Sequence, residues 1–222
     1  MRGRFITFEG GEGTGKSTQV RLLGKRLQGV GLKVVTTREP GGSAGADVIR
    51  HVILSGAAKP LGSNAEAILF AAARSDHVRC TIEPALTAGK WVICDRFADS
   101  SRIYQGALGR VDTLVINALE RVAVGDTKPD LTLILDLPPK IGLARASRRR
   151  GKGAADRFEA EALEFHAQLS AAYRELARRE LERCVLIDAS GKQESVADAI
   201  WSVVADRFRL ASEPAQRAVA VS

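Results

Sequence analysis

Phe5-Ile6-Thr7-Phe8-Glu9-Gly10-Gly11-Glu12-Gly13-Thr14-Gly15-Lys16-Ser17-Thr18 is a short apolar run, then a glycine-rich turn, then a Lys-Ser pair. From Gly10 to Ser17 it spells G-x-x-x-x-G-K-S in the strand–loop–helix order that such a loop requires. Phosphate oxygens need backbone N–H donors pointing inward, and glycines permit the tight path that aims them. The helix that follows turns its positive N-terminal end to the same anion. Gly10, Gly11, Glu12, Gly13, Thr14, Gly15, Lys16, Ser17 and Thr18 thus read as a cradle for a nucleoside triphosphate, ATP being the expected donor. Lys16 should reach the β- and γ-phosphates, and the Ser17 hydroxyl should ligate Mg²⁺.

Working outward, four more compact apolar runs recur: Lys33–Thr37, Trp91–Asp95, Leu131–Leu137 and Cys184–Asp188. Runs this short and this apolar read as strands buried on both faces. Helical periodicity fills the gaps at Ser17–Gln28, Ala46–Ile53, Ala65–Ala88 with a break near Pro84, Val111–Val124, Ile141–Arg149, Glu159–Arg179 and Glu194–Phe208. Such alternation predicts an α/β fold, a five-stranded parallel sheet with helices on both faces. One domain over residues 1–210 is expected, with Ala211–Ser222 as a flexible tail because it lacks an apolar stripe.

The chain has 222 residues, of which 33 are Lys or Arg and 26 Asp or Glu, for a net charge of +7. At 45% hydrophobic it is ordinary globular material, which excludes disordered and collagen-like classes. Cys80, Cys94 and Cys184 are odd in number and far apart, so neither a disulfide framework nor a zinc ribbon is expected, and a reducing cytoplasm suits them. The start, MRGRFITFEGG, lacks an apolar core of signal-peptide length, and no run approaches 18 apolar residues, so no membrane association is expected. His51, His77 and His166 show no ligand spacing.

Three arginines point to a second phosphate. Arg38 closes the second strand in Thr37-Arg38-Glu39-Pro40-Gly41-Gly42, and Arg96 follows the third in Cys94-Asp95-Arg96-Phe97. Both fall at carboxyl ends of strands, where open α/β sheets bind ligands. Guanidinium forks fit phosphate bidentately. Alone, each would read as a surface ion-pair partner; as a set beside a phosphate loop they read as an acceptor site. Arg74 lies four residues after Phe70, on one helix face, where a ring can stack on a base and a guanidinium can donate to its carbonyl. A lone Phe70 on an alanine-rich helix would otherwise be core. Asp95, ending a strand, suits a Mg²⁺-organising acid, or else a turn cap. The Asp99–Gln105 run offers hydroxyl, amide and phenol groups for a polar ligand.

Taken together, FEGGEGTGKST, TREPGG, ILFAAAR, the DRF…SS…YQG run over Asp95–Gly106, PDLTLILDL and a later DRFE resemble the bacterial thymidylate kinases, over roughly Phe5 to Phe158. The resemblance implies a nucleoside monophosphate kinase fold, phosphorylation of dTMP to dTDP by ATP with Mg²⁺, and a cytoplasmic homodimer. It implies that Glu12 bonds the deoxyribose 3′-hydroxyl and that Arg38 and Arg96 hold the dTMP phosphate. Phe70 would stack on thymine, Arg74 would donate to its carbonyl, and Ser101 would sit near the base. Tyr104 would disfavour a ribose 2′-hydroxyl, Gln105 would lie beside it, and Asp95 would organise Mg²⁺ and phosphate. The family carries its catalytic arginine either in the phosphate loop or in a lid over ATP. Lys16 is the loop's sole basic residue here, whereas Arg145–Arg157 holds Arg145, Arg148, Arg149, Arg150, Lys152 and Arg157 against Asp156. The chain thus resembles the lid-arginine subgroup, with a mobile lid over about 145–157, Arg149 or Arg150 catalytic and Arg145 on the adenine face. Two other readings remain: a kinase for another nucleoside or nucleotide, and a nucleic-acid-binding ATPase. Against the second, Arg145–Arg157 has no aromatic residue on which bases could stack, so no nucleic-acid partner is expected.

Overall fold

The structure, a computed structural model, describes residues 2–151 and 158–210. The expected tail at 211–222 and the part of the expected lid at 152–157 lie outside the described residues. The strands are β1 (Phe5–Gly10), β2 (Val34–Arg38), β3 (Trp91–Asp95), β4 (Leu131–Asp136) and β5 (Cys184–Asp188), all parallel, in the order β2-β3-β1-β4-β5. β1, β3 and β4 are buried almost throughout, as continuous apolar runs demand. The outer strands differ from the expectation. β2 is nowhere fully buried and β5 only at Cys184 and Ile187, because an edge strand has a neighbour on one side alone.

Helices α1 (Lys16–Gly29) and α9 (Gln193–Phe208) cover one face. Their Val20, Leu23, Leu27, Val196, Ile200 and Val204 close on Ile6, Phe8, Ile93, Leu131 and Leu133. Burying a side chain of this size contributes about 1.5–3 kcal/mol, so this layer is a main source of stability. On the other face, α8 (Leu163–Arg179) sets Leu169, Tyr173 and Ala177 against Ile134 and Cys184. The remaining helices are α2 (Ala44–Leu54), α3 (Gly62–His77), α4 (Glu83–Thr87), α5 (Ala98–Ser101), α6 (Thr113–Ala123) and α7 (Pro139–Arg150).

Two local readings are corrected. No break occurs at Pro84: α3 runs through a wider π turn at Val78–Ile82 into α4, with Pro84 in the first turn of α4. Proline lacks the N–H and crowds the carbonyl four residues back, and the widened turn relieves both demands. The Ala98–Leu108 stretch, read only as a run of polar groups, is helical, as α5 followed by a π turn over Arg102–Leu108. It is too short and too polar to show a stripe. Helix α8 also starts at Leu163, later than the expected Glu159.

β1 is central, with β3 on one side and β4 on the other, so a crevice opens at the ends of these strands. The phosphate loop leaves β1 there. Gly13 has φ +68°, and a Cβ on it would meet the Gly142 carbonyl oxygen of α7 at 1.9 Å. Glycine is therefore required on steric grounds as well as for the turn.

Candidate active site

Above the strand ends lies a cavity of about 330 Å³. Glu12, Gly13, Gly15, Lys16, Ser17 and Thr18 form one wall. Arg38, Phe70, Asp95, Arg96, Tyr104, Gln105 and Arg149 face them, with Glu39, Pro40, Arg50, Leu54, Ser100 and Phe158 completing the lining. Sequence reading therefore assembled most of this cavity. A second, more open cavity on the far side of the loop is lined by Gly13, Thr14, Gly15, Thr18 and Arg145 together with residues 189–193.

On the loop wall, Lys16 Nζ donates to the Gly10 and Gly11 carbonyls at 3.0 and 2.7 Å. Burial, followed by the neighbouring Arg96 charge, pushes its ammonium down to about 8. Those carbonyls stand in for the phosphate oxygens that such a lysine serves. Thr14 Oγ1 donates back to the Gly11 carbonyl at 3.0 Å and stiffens the turn. Ser17 Oγ donates to Asp95 Oδ2 at 2.5 Å, so the two expected Mg²⁺ groups touch across the loop mouth. Among the described residues no cluster of three or more His, Cys, Asp or Glu could hold a metal. A hydroxyl beside one carboxylate is the sparse oxygen set that suits Mg²⁺, which keeps its other positions for phosphate and water.

On the opposite wall Arg96 is anchored tightly. Its Nη2 donates to Glu12 Oε1 at 2.6 Å, and its Nη1 donates to the Gly10 carbonyl at 3.1 Å. The guanidinium lies over the Tyr104 ring, 5.2 Å from the centroid. Burial raises the Glu12 carboxyl, but Arg96, Lys16, His166 and Arg149 outweigh it, so the group ends below the usual carboxylate range. Tyr104 OH reaches Glu12 at 3.5 Å. Phe70 and Tyr104 flank Phe158, with ring centroids 6.3 and 5.3 Å away. The three rings form an aromatic patch on the cavity lining. Gln105 is buried at its edge.

Arg38 lines the same cavity, half-exposed, with Nη2 3.2 Å from Asp47 Oδ1. Arg74 and Ser101 are placed differently. Both lie behind the cavity, against a small separate void between α3 and α6. Arg74 Nε donates to Glu39 Oε2 at 2.8 Å, and Nη2 donates to the Phe97 carbonyl and Ser101 Oγ, both at 3.1 Å. Among the described residues, no hydrogen bond is found for its Nη1. Arg149 lines the cavity, 3.3 Å from Glu159, whereas Arg150 turns to Glu159 at 2.5 Å. Arg145 donates to the carbonyls of Ala189 and Ser190 at 3.1 and 3.4 Å, beside the outer cavity.

Several site residues escaped the sequence. Glu39 is buried between Arg74 and His77, whose Nε2 meets Thr37 Oγ1 at 2.7 Å. Glu9 is fully buried under Arg96. Glu9, Glu39 and Phe158 carried a signal, since each lies within a stretch that bears the family resemblance; His77 carried none until folding brought it close.

A family model described as thymidylate kinase matches residues 8–200. A thymidylate kinase of Nitrobacter winogradskyi is 59% identical over 93% of this chain and 90% of its own length. One from Rhodopseudomonas palustris is 60% identical over 97% and 93%. The crystal structure of the thymidylate kinase from Ehrlichia chaffeensis superposes with a TM-score of 0.73 at 30% identity, covering 92% of this chain and all of that one. The phosphate loop, the arginines across from it and these matches agree, and the chain belongs to the thymidylate kinase family.

Proposed function

We propose that the 330 Å³ cavity is where ATP and dTMP meet end to end, the activity being the family's: phosphorylation of dTMP to dTDP. The observation that carries this is Arg96, a part-buried cation bonded to the phosphate loop itself, so that donor and acceptor phosphates share one charged wall. The nucleophile is an acceptor phosphate oxygen, anionic near neutral pH, and needs no general base. The barrier is the approach of two anions and the charge spread over the transferred group. Catalysis is then positioning and neutralisation.

In this reading the loop amides and Lys16 hold the β- and γ-phosphates, and Arg145 packs at the adenine side. Ser17 and Asp95 would hold Mg²⁺, which when bound supplies neutralisation of the donor phosphates. Arg38 and Arg96 grip the acceptor phosphate, Glu12 takes the 3′-hydroxyl, Phe70 covers the base, and Tyr104 and Gln105 close the sugar edge. Arg74 and Ser101 hold the base wall from behind. Arg149, on the cavity lining at the end of α7, is favoured over Arg150 as the arginine that closes on the transferred group. Positive groups supplied this way raise phosphoryl-transfer rates by about 10³–10⁵. Single-turnover kinetics of Arg149→Ala should show the chemical step slowed at least about tenfold, with Arg150→Ala less affected; an unchanged Arg149→Ala removes that role.

Coupled ATP-consumption assays with dTMP, dUMP, UMP, CMP and thymidine test the acceptor, and turnover is expected to be fastest with dTMP. A homodimer is proposed through α2, α3 and α6. These packed helices expose Val48, Val52, Ile68, Leu114, Val115 and Val122 on the surface. A wild-type dimer and an Ile68→Glu/Leu114→Glu monomer in analytical ultracentrifugation are the expected results. The free thiols of Cys80, Cys94 and Cys184 suit a reducing cytoplasm, and no described helix is long and apolar enough to cross a membrane.

A further inference from the structure

Arg96 carries φ +70°, the left-handed region that a bulky side chain rarely adopts. Such a conformation persists only where its surroundings over-determine it. Those surroundings centre on Glu9, the last acid before the phosphate loop, which is fully buried. Its Oε1 accepts from the backbone N–H of Phe97 at 2.8 Å and of Ser100 at 3.2 Å. Its Oε2 accepts from Ser100 Oγ at 2.7 Å and from Tyr173 OH at 2.8 Å. Four donors thus meet the two carboxylate oxygens.

The two hydroxyls each own a single hydrogen. Because both point at Glu9, their lone pairs face outward, and Arg96 Nη1 lies there, 3.4 Å from Ser100 Oγ and 3.3 Å from Tyr173 OH. We propose that Glu9 is a positioning residue for Arg96. It fixes the left-handed turn through the two amides, and it turns two hydroxyl oxygens onto the guanidinium so that the outer edge of Arg96 faces the acceptor. The proposal rests on the reading of Arg96 as a holder of the acceptor phosphate.

Glu9→Gln separates this from a merely structural role. The amide oxygen can still accept from Phe97 and Ser100, so the turn keeps its cap. The amide nitrogen, however, donates where Oε2 accepted, and at least one hydroxyl hydrogen is left facing Arg96. Hydrogen bonds to charged groups of this kind correspond to about tenfold effects, so the KM for dTMP should rise about tenfold while the KM for ATP stays within about twofold. Adding Tyr173→Phe to Glu9→Gln removes the misdirected hydrogen and should recover about threefold or more of that loss. Tyr173→Phe alone should raise the dTMP KM by about threefold without moving that for ATP, and it serves if Glu9→Gln does not fold. Equal changes in both KM values, no change in either, or a Tyr173→Phe effect that adds to that of Glu9→Gln overturns the proposal. Arg96→Ala runs in parallel. An unchanged dTMP KM there removes the acceptor reading and this inference together, whereas a raised KM for Arg96→Ala with a silent Glu9→Gln removes the inference alone.

Discussion

The two walls of the cavity are built in opposite ways. The loop wall comes from one short run of chain, Glu12–Thr18, which lines the cavity with Glu12, Gly13, Gly15, Lys16, Ser17 and Thr18. The facing wall, proposed to hold the acceptor and the arginine that closes on the transferred group, draws Arg38, Phe70, Arg96, Tyr104 and Arg149 from segments far apart in the chain. Carboxylates keep it in shape: buried Glu9 under Arg96, part-buried Glu12 beside it and buried Glu39 behind Arg74. Backbone makes a wall whose chemistry travels with one motif. Side chains make a wall that depends on charges paired out of water, where losing one partner is expensive.

The sharpest way to break that contrast is Arg74→Ala. It leaves the Glu39 carboxylate, only 4% exposed, without its guanidinium and with His77 as its remaining partner, and should cost about 3–5 kcal/mol in urea unfolding. A loss below about 1 kcal/mol would mean the acceptor wall is no more charge-dependent than an exposed surface. Next, Lys16→Ala should leave stability nearly unchanged and lower kcat by about 10²–10³, the cost of one preorganised donor, read in the coupled assay. Smaller again is Arg38→Ala. Its partner Asp47 is half-exposed, so stability should fall by less than about 1 kcal/mol, while the KM for dTMP rises several-fold.

The smallest effect is a proton. Lys16 titrates at about 8 in the free chain, and phosphates beside it favour its charged form and raise that value. ATP binding between about pH 8 and 9 should therefore take up protons, and affinity should weaken as pH climbs through this range. Calorimetry in buffers of different ionisation enthalpy reads the uptake, which Lys16→Ala should abolish.

The same contrast explains what the sequence made legible. Local order shows in local pattern, so the loop, the central strands and the Asp95–Arg96 turn could be read directly. Phe70, four residues from Arg74, and Tyr104, in a polar run, stood out locally, and the family resemblance gave Tyr104 its specific role. The Arg74–Glu39 pair was not legible, because nothing local reveals a partner 35 residues away. Glu9 was passed over for the same reason, since its partners Ser100 and Tyr173 lie 91 and 164 positions along the chain. The helical Ala98–Leu108 segment hid because its polar side chains serve the site and the ion pairs of Asp99 and Arg102 rather than a stripe.

The seam between Gly13 and Gly142 limits how the loop can be re-engineered. Two main chains pass there with no space for even a methyl group, the intruding Cβ lying 1.9 Å from an oxygen. Grafting a long cationic residue onto the crown of the turn would prise α7 from β1's exit and tilt the helix that bears Arg145 and Arg149. In this scaffold position 13 is closed to added positive charge, and the tightness of two hydrogen-sized side chains is what closes it.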